Sequence, residues 1–301
     1  MNKRWDIFGI GTAAVDDLVY VEHFPTADTK QPAQSIQRHG GGQTATALVA
    51  AARQGARTAF CCRLGADELS RFTVQTLEAE GVDCSPVIAC PACGPVHSVI
   101  IVDSGTGSRT ILYDSSAARE PDPDEIDPAW IAASRLVFFD QNAPRAGLHA
   151  ARLARTLGIP VAADLEKRNL PEMDAILAHI DHLIVSQDFA RALTGLVDPA
   201  QAARALAVPP RAATVVTCGG QGCWYAEGSG EPRHFPAYSV PVVDTTGCGD
   251  VFHGAYAAAI TRGEPIPRAI QTASATAALK AMKPGGRAGI PGLEEIRKLG
   301  D

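Results

Sequence analysis

The sequence lacks the features that identify several common classes of protein. It contains no apolar run long enough to cross a bilayer, no run of lysine and arginine, and no internal repeat or low-complexity segment. A formal net charge of −6 further disfavours a surface that binds nucleic acid. No Gly-Lys dipeptide occurs, which excludes a P-loop. We therefore expect no membrane partner, no nucleic-acid partner and no P-loop nucleotide site.

The eight cysteines do not form the pattern of a disulfide framework or of a zinc site. Cys90 and Cys93 form a single C-x-x-C motif without a second pair at zinc-finger spacing. Cys61 and Cys62 lie in a segment typical of a buried strand. No signal-peptide pattern precedes Asp6. We expect reduced thiols and a cytoplasmic location.

The composition is that of an ordinary globular protein, with 46% hydrophobic and 20% charged residues. A chain of 301 residues can bury a large core, in one large α/β domain or in two smaller ones. Apolar strand patterns alternate with helical patterns along most of it. The predicted strands include 57–63, 136–140, 161–164, 183–185 and 214–218, and the predicted helices are 44–54, 72–80, 145–157, 171–178, 188–207, 251–262 and 266–282. This alternation predicts a parallel sheet covered by helices on both faces.

The N-terminal third favours a second, smaller sheet. Gly9 to Ala14 matches the loose dinucleotide-binding pattern G-x-G-x-x-A, but a β-leaning segment follows where that pattern needs a helix. Residues 18–38 carry no helical period, and residues 96–113 alternate around a turn of the hairpin type. We therefore reject the dinucleotide site and expect these two segments to pair.

Residues 242–254 carry the strongest indication of chemistry. Val242 and Val243 suit the end of a buried strand, and Gly247 and Gly249 allow a tight turn into a helix of small residues. The free amides at such a helix start attract an anion, usually a phosphate. Asp250 could cap this helix, or it could take a proton from a hydroxyl that attacks the phosphate. The residues alone leave both roles open.

The pattern Asp-Thr-x-Gly-x-Gly-Asp-x-Phe-x-Gly from Asp244 to Gly254 resembles the signature of the PfkB (ribokinase-like) carbohydrate kinases. The resemblance extends over nearly the whole chain and includes the glycines before the helix at 44–54. It implies one ribokinase-like domain over residues 1–301, a three-layer α/β/α sandwich with a mostly parallel central sheet. A small β-sheet lid would come from about 17–40 and 94–114. The activity implied is ATP-dependent phosphorylation of a sugar, with Mg²⁺, in a homodimer formed through the lid.

The same resemblance assigns roles to individual residues. Asp250 would be the catalytic base, and the amides of Gly247, Cys248 and Gly249 would form the anion hole. Cys248 stands where the family most often has alanine. The implied substrate-binding residues are Asp16, Asp28, Lys30, Gly42, Gln43, Arg109 and Asn142. The implied ATP-binding residues are Ser186, Thr217, Gly219, Gly222, Thr245 and Gly249.

Metal binding is where the sequence departs from the family. The Asn-x-x-Glu motif that organises Mg²⁺ is absent, and Ser186 to Phe189 stand in its place. Glu166 or Asp188 could take over that role, and Asp188 could equally be a helix-start carboxylate. Asp244 and Thr246 occupy positions where many relatives hold a monovalent cation such as K⁺.

Two branches of the family are most similar to this sequence, the ketohexokinases and the bacterial sulfofructose kinases. They imply a ketose-like acceptor, fructose-like or sulfofructose-like, with Lys30 near a sulfonate. Tyr113 and Asn142 replace two other sulfonate-binding residues, and Gln43 and Thr46 stand where ketohexokinases usually carry asparagines. Neither substrate therefore transfers directly. A nucleoside kinase, with Tyr20 or Phe24 against the base, and a non-catalytic sugar- or nucleotide-binding regulator remain alternatives.

Overall fold

The computed structural model of the protein describes residues 3–300, which form an α/β structure with one large and one small sheet. The strands are β1 (Trp5–Ile10), β2 (Ala14–Val21), β3 (Ser35–Gly41), β4 (Thr58–Cys61), β5 (Arg63–Leu64), β6 (Val82–Asp83), β7 (Ile88–Ala89), β8 (Val96–Asp103), β9 (Arg109–Asp114), β10 (Ser134–Asp140), β11 (Val161–Asp164), β12 (His182–Ser186), β13 (Ala213–Thr217), β14 (Cys223–Glu227) and β15 (Arg233–Phe235). The helices are α1 (Gln43–Arg53), α2 (Glu68–Ala79), α3 (Pro128–Ala132), α4 (Pro144–Thr156), α5 (Met173–Leu177), α6 (Gln187–Thr194), α7 (Pro199–Leu206), α8 (Cys248–Thr261), α9 (Ile266–Ala281) and α10 (Leu293–Gly300).

The large sheet has nine strands in the order β15-β14-β13-β12-β11-β10-β1-β4-β6. Its pairs are parallel from β6 to β13, and β14 and β15 complete one edge in antiparallel pairs. Side chains of β10 alternate between two layers: Phe139 packs in the layer with α4 and α6, and Phe138 packs in the layer with α1 and α8. Helices therefore cover both faces, as the continuous apolar strand patterns predict.

The small sheet has the order β3-β2-β8-β9. Strand β2 pairs with β8 in parallel, while the two outer pairs are antiparallel. Its strands come from the two N-terminal segments that the sequence predicts to pair. The face that carries Asp16 and Tyr20 lies over the loop 242–246, and the opposite face carries exposed apolar side chains, Ile36 and Leu112 among them.

Three predicted elements differ from the structure. The predicted helix 188–207 is two helices, because Gly195 ends α6 in the left-handed conformation and Asp198 caps a new helix before Pro199. The predicted helix 72–80 begins earlier, at Glu68 in α2, because Asp67 is its N-cap and the Asp67 side chain accepts from the Ser70 amide. Both differences arise from local capping.

The predicted buried strand end at Val242 and Val243 is also wrong. Both residues lie outside any strand and are 62% and 63% exposed. The Val243 and Asp244 amides donate to the Ala281 carbonyl at the C-terminal end of α9. Helix α9, and not a neighbouring strand, therefore anchors the segment that leads into α8.

The expectation that all thiols are reduced is wrong for one pair. Cys90 and Cys93 form a disulfide, within a turn in which the Cys93 amide also donates to the Cys90 carbonyl. Cys61 and Cys62 are buried and unpaired, as the strand pattern predicts. No helix in the described residues is both long and apolar enough to cross a membrane.

Candidate active site

The glycine-rich turn leaves backbone amides free at the start of α8. Gly247 is the N-cap and has a φ of 73°, in the left-handed region that glycine adopts without strain. Within residues 3–300, the Gly247 and Gly249 amides have no hydrogen-bond acceptor, whereas the Cys248 amide donates to the Thr245 carbonyl over 3.2 Å. Two of the three predicted amides are thus free, at the electropositive end of a helix of 14 residues. Such an end can bind a phosphate group.

Asp250 is the third residue of α8, and its carboxyl group lies among other carboxylates. It is hydrogen-bonded to Asp164, the last residue of β11. Burial, followed by the negative charge of Asp164, raises the pKa of Asp250 well above its usual range. Burial and the charge of Glu166 likewise raise the pKa of Asp164 to about 8. A carboxyl group with a raised pKa is suited to accepting a proton from a hydroxyl.

The alternative role for Asp250, as a helix cap, is not what the structure shows. Gly247 holds the N-cap position, and no side chain makes a capping hydrogen bond at this end of α8. His253, one turn later, instead fixes the start of the helix. Its ring nitrogens lie 2.9 Å from the Gly249 carbonyl oxygen and 3.1 Å from the Ile184 carbonyl oxygen. Asp250 is therefore free of a capping role.

The two carboxylates predicted for Mg²⁺ lie in different surroundings. Glu166 is among the charges that raise the pKa of Asp250, so it belongs to the carboxylate cluster. Asp188 is exposed in the first turn of α6. No group of three or more His, Cys, Asp or Glu side chains in the described part of the chain is arranged to hold a metal ion. The residues present fit a Mg²⁺ ion held mainly by water and phosphate oxygens, with Glu166 beside it.

A cavity of about 230 Å³, here called the α9 cavity, opens beside the free amides. It lies between the turn after β13 and helix α9, as the sequence predicts for a nucleotide. Five of the predicted ATP-binding residues line it: Thr217, Gly219, Gly222, Thr245 and Gly249. Ser186 does not line it, since its hydroxyl caps α6 by accepting from the Phe189 amide.

Gly222 is required on the wall of the α9 cavity. Its φ is 89°, and a Cβ atom there would lie 2.0 Å from the Phe235 carbonyl oxygen. The backbone of the β14–β15 hairpin therefore passes directly against this glycine. Any side chain at this position would displace the hairpin and reshape the cavity.

A second cavity of about 480 Å³, here called the sheet cavity, lies between the small sheet and the loops around residues 242–246 and 284–286. Two predicted substrate residues, Asp16 and Arg109, line it. Burial raises the pKa of Asp16. Val242 and Thr245 line both cavities, so the two cavities meet at the loop before α8.

Gln43 and Asn142 lie together at the start of α1. The Asn142 amide group donates to the Gln43 side-chain oxygen over 3.0 Å. The Gln43 Nε2 is buried and has no acceptor among the described residues. Gly42 precedes them with a φ of 91°, and a Cβ there would lie 2.4 Å from the Thr12 carbonyl oxygen. A buried donor without a partner is available to a ligand.

Asp28 and Lys30 are not brought to this site. Both are exposed in the loop between β2 and β3, and neither lines the α9 cavity or the sheet cavity. Of the predicted substrate residues, the structure therefore brings together Asp16 and Arg109 at one cavity and Gly42, Gln43 and Asn142 at the start of α1.

The sequence patterns missed two buried cations. Arg287 donates to the Gly41 carbonyl and, over 3.2 Å, to the Thr46 hydroxyl, and its positive charge acts on both Asp16 and Asp250. Burial lowers its pKa to about 10, so it stays protonated near neutral pH. Lys280 lies at the C-terminal end of α9. The only signal in the sequence for Arg287 is its place directly after Pro-Gly-Gly.

Asp244 is the centre of a hydrogen-bond network at the loop before α8. Its carboxylate accepts from Arg109 over 2.7 Å, from the Thr246 amide over 2.8 Å and from the Gly285 amide over 2.9 Å. Burial alone would raise its pKa, but the hydrogen bonds from the Thr246 hydroxyl, the Thr246 amide and the Gly285 amide, with the nearby charge of Lys280, outweigh burial and lower it to about 2. The Arg109 side chain also donates to the Thr246 hydroxyl. Arg109 therefore links the small sheet to the loop before α8.

Known proteins resemble this chain over nearly its full length. Aminoimidazole riboside kinase of Salmonella typhimurium is 29% identical over 315 residues, covering 98% of this chain and 94% of that protein. Ribokinase of Bacillus subtilis is 27% identical over 300 residues, covering 96% of this chain and 97% of that protein. The crystal structure of ribokinase from Thermotoga maritima matches with a TM-score of 0.83 at 25% identity, covering 98% of this chain and 99% of that chain. The predicted ribokinase-like fold is confirmed.

The family model described as pfkB family carbohydrate kinase matches residues 6–292. That match includes the small sheet, the turn before α8 and both cavities. The protein belongs to the pfkB family of carbohydrate kinases, which are phosphotransferases with an alcohol group as acceptor.

Proposed function

We propose that the protein transfers the γ-phosphoryl group of ATP to a hydroxyl of a sugar, with Asp250 as the base. The observation that carries this proposal is the position of Asp250. Its carboxyl group, with a raised pKa, stands in the first turn of α8, beside the free amides of Gly247 and Gly249. A base and an anion site at one helix start are what direct phosphoryl transfer to a hydroxyl requires.

In this proposal ATP lies in the α9 cavity with its phosphates toward Gly247 and Gly249. Mg²⁺, when bound, neutralises charge on the phosphates and is held mainly through water. The chain itself supplies the anion site, the base and the buried positive charge of Arg287 between Asp16 and Asp250. The small sheet acts as a lid that excludes water, with Arg109 tying it to Asp244.

The acceptor lies in the sheet cavity, and we propose an uncharged ketose-like sugar. Asp16, which lines this cavity, accepts hydrogen bonds from its hydroxyls. Arg109 is the one lysine or arginine among the residues lining this cavity, and Asp244 already pairs with it. Lys30 stands outside the cavity. An anionic sulfosugar would therefore find no unpaired cation there.

A nucleoside acceptor is a second candidate, because one wall of the sheet cavity is apolar. The side chains on this wall are Leu18, Tyr20, Ile100, Val102 and Ile111. An aromatic ring among aliphatic side chains provides a surface on which a base can pack. The similarity to an aminoimidazole riboside kinase supports the same candidate.

The test is an ADP-release assay with ATP and Mg²⁺ over ketoses, aldoses, sulfosugars and nucleosides. We expect turnover with a neutral ketose. The second candidate is selected if the protein prefers a nucleoside and if Tyr20→Ala reduces nucleoside turnover more than ketose turnover. If a sulfosugar is the best acceptor, this contradicts the inference, drawn from the Arg109–Asp244 pair and from the position of Lys30, that the sheet cavity has no unpaired cation for a sulfonate. No ADP release with any acceptor contradicts the proposed function.

We also propose that the protein forms a homodimer through the outer face of the small sheet. Ile36, Val99 and Leu112 are large apolar residues on this face, and they are 69%, 36% and 59% exposed. The register places Val99 directly opposite Leu112. An exposed apolar face on one sheet is an association surface.

A further inference from the structure

A buried ammonium group occupies the loop where the sequence predicts a monovalent cation. Lys280 has no exposed surface. Its Nζ donates to the Asp244 carbonyl oxygen over 2.9 Å and also to the Thr246 carbonyl oxygen. These two residues are the ones assigned to the cation. The carbonyl oxygens of this loop therefore already bind a positively charged group, and that group is a side chain of the protein itself.

We propose that the Lys280 ammonium replaces the monovalent cation, so that the protein folds and turns over without K⁺. K⁺ is bound in proteins by backbone carbonyl oxygens, and an ammonium group of similar size takes the same partners. A K⁺ ion on the Asp244 and Thr246 carbonyl oxygens would need the space that Nζ fills. It would also be repelled by the charge already there.

The surroundings of Lys280 support a charged side chain. Burial, and the nearby positive charge of Arg109, lower the pKa of Lys280, whereas the negative charge of Asp244 acts in the opposite direction. The two carbonyl oxygens accept its hydrogen bonds, and a buried charge is stable only with such partners. Arg109 binds the side chains of Asp244 and Thr246. Lys280 thus binds the backbone oxygens of this loop, and Arg109 binds its side chains.

The position of this ammonium group gives it a positioning role. The loop that it holds leads directly to Gly247, whose amide is free at the start of α8. Lys280 itself is on α9, which lines the cavity proposed for ATP. A tethered cation therefore fixes the anion site relative to the nucleotide cavity, and its occupancy does not depend on the salt composition of the solution.

The wild-type protein gives the first test and needs no variant. Melting temperature and turnover are measured in KCl, NaCl and choline chloride at one ionic strength. We expect no difference among the three salts in either measurement. Activation by K⁺ over choline of about fivefold or more, the lower end of ordinary coupling between sites, overturns the proposal.

The second test is Lys280→Ala, which removes the ammonium group and leaves space for an ion. In choline chloride this variant should melt lower and turn over more slowly than wild type, because two buried carbonyl oxygens lose their donor. KCl should restore both properties in part. Lys283→Ala, at an exposed lysine three residues on, is the matched control and should match wild type in every salt. A Lys280→Ala variant that equals wild type in choline, or that KCl does not restore, contradicts the proposal.

The turnover measurement rests on the proposed kinase function, but the melting measurement does not. If no acceptor supports ADP release, the proposed function fails while the melting temperatures still decide the role of Lys280. If Lys280→Ala does not fold in choline, its yield in KCl and the salt series on the wild type decide it.

Discussion

Replacing Asp250 by asparagine removes the proposed base while keeping the size and shape of the side chain. An asparagine side chain can still hydrogen-bond to Asp164, but it cannot take a proton from an acceptor hydroxyl. General-base catalysis contributes about 10²–10⁴-fold to a rate. We therefore expect kcat to fall by that factor, which corresponds to about 3–5 kcal/mol of transition-state stabilisation.

The structure also fixes what this change does to stability. The carboxyl groups of Asp250 and Asp164 are hydrogen-bonded, and burial together with neighbouring negative charges raises the pKa of both. Asp250→Asn removes one of the two ionisable groups. The folded variant therefore no longer has to hold two buried negative charges side by side, and the free-energy cost of doing so disappears. At about pH 8, where that cost is present in the wild type, the variant should melt at the same temperature or higher. A lower kcat could then not be attributed to unfolding.

The assay is ADP release at saturating acceptor, with ATP binding measured separately by calorimetry. Asp174→Asn is the matched control, because Asp174 is an exposed carboxylate in the first turn of another helix, α5, and has no predicted role in the site. The control should keep the wild-type kcat, and ATP affinity should change little in either variant. A folded Asp250→Asn protein that keeps more than about a tenth of the wild-type kcat refutes the role of Asp250.

Four further predictions follow from individual features of the structure. The negative charge of Asp164 raises the pKa of Asp250, so Asp164→Asn should move the acidic limb of the kcat profile to lower pH. An unchanged limb contradicts this coupling. The folded-state pKa of Asp164 is raised to about 8, so the wild type loses stability as pH rises toward that value. The melting temperature of Asp164→Asn, measured relative to that of the wild type, should therefore increase from about pH 5 to about pH 8. Gly254→Ala places a Cβ 1.9 Å from the Ala47 carbonyl oxygen of α1, and urea denaturation should show that the free energy of unfolding falls by about 2–4 kcal/mol. Gly220→Ala, in open space, is the control and should show little change. Equal urea midpoints for Gly254→Ala and wild type would mean that α1 and α8 are not in close contact. Leu112→Asp should convert the dimer into a monomer by light scattering, while Val197→Asp, at an exposed valine outside the small sheet, should not; a monomeric wild type rules out the dimer.

The buried strands of the large sheet follow from patterns that the sequence displays directly. Buried parallel strands are continuous apolar runs, and the segment predicted at 161–164 is the strand Val161–Asp164 in the structure. Helix ends were harder to predict, because capping decides them. Gly195 divides one apolar helical pattern into two helices, and the periodicity on either side of it does not change.

The segment at Val242 and Val243 shows why apolar composition is not sufficient. Both residues have the β-branched side chains of a buried strand, yet both are exposed and Val242 lines both cavities. The backbone amides of Val243 and Asp244 donate to the Ala281 carbonyl at the end of α9, which lies later in the chain. A pattern within one segment cannot reveal a partner that tertiary structure supplies.

The candidate site was predictable where its residues are adjacent in sequence. Gly247, Gly249 and Asp250 share one turn, so their chemistry is visible as a motif. Asp164 belongs to a distant strand, and it reaches Asp250 only because β11 ends where α8 begins. Lys280, on α9, resembles an ordinary last-turn lysine that faces solvent. Only its burial and its two carbonyl partners distinguish it.

An acidic protein that binds a polyphosphate must concentrate positive potential locally, and here it does so with buried groups. The formal net charge is −6, and the carboxylates of Asp16, Asp164 and Asp250 lie near the proposed site. Lys280 and Arg287 are both buried, and the free amides of α8 add the positive end of a helix. Buried charges are screened by salt much less than surface charges are. In the proposed function, the attraction for phosphate therefore depends on how the chain folds around two cations, and not on the charge of its surface.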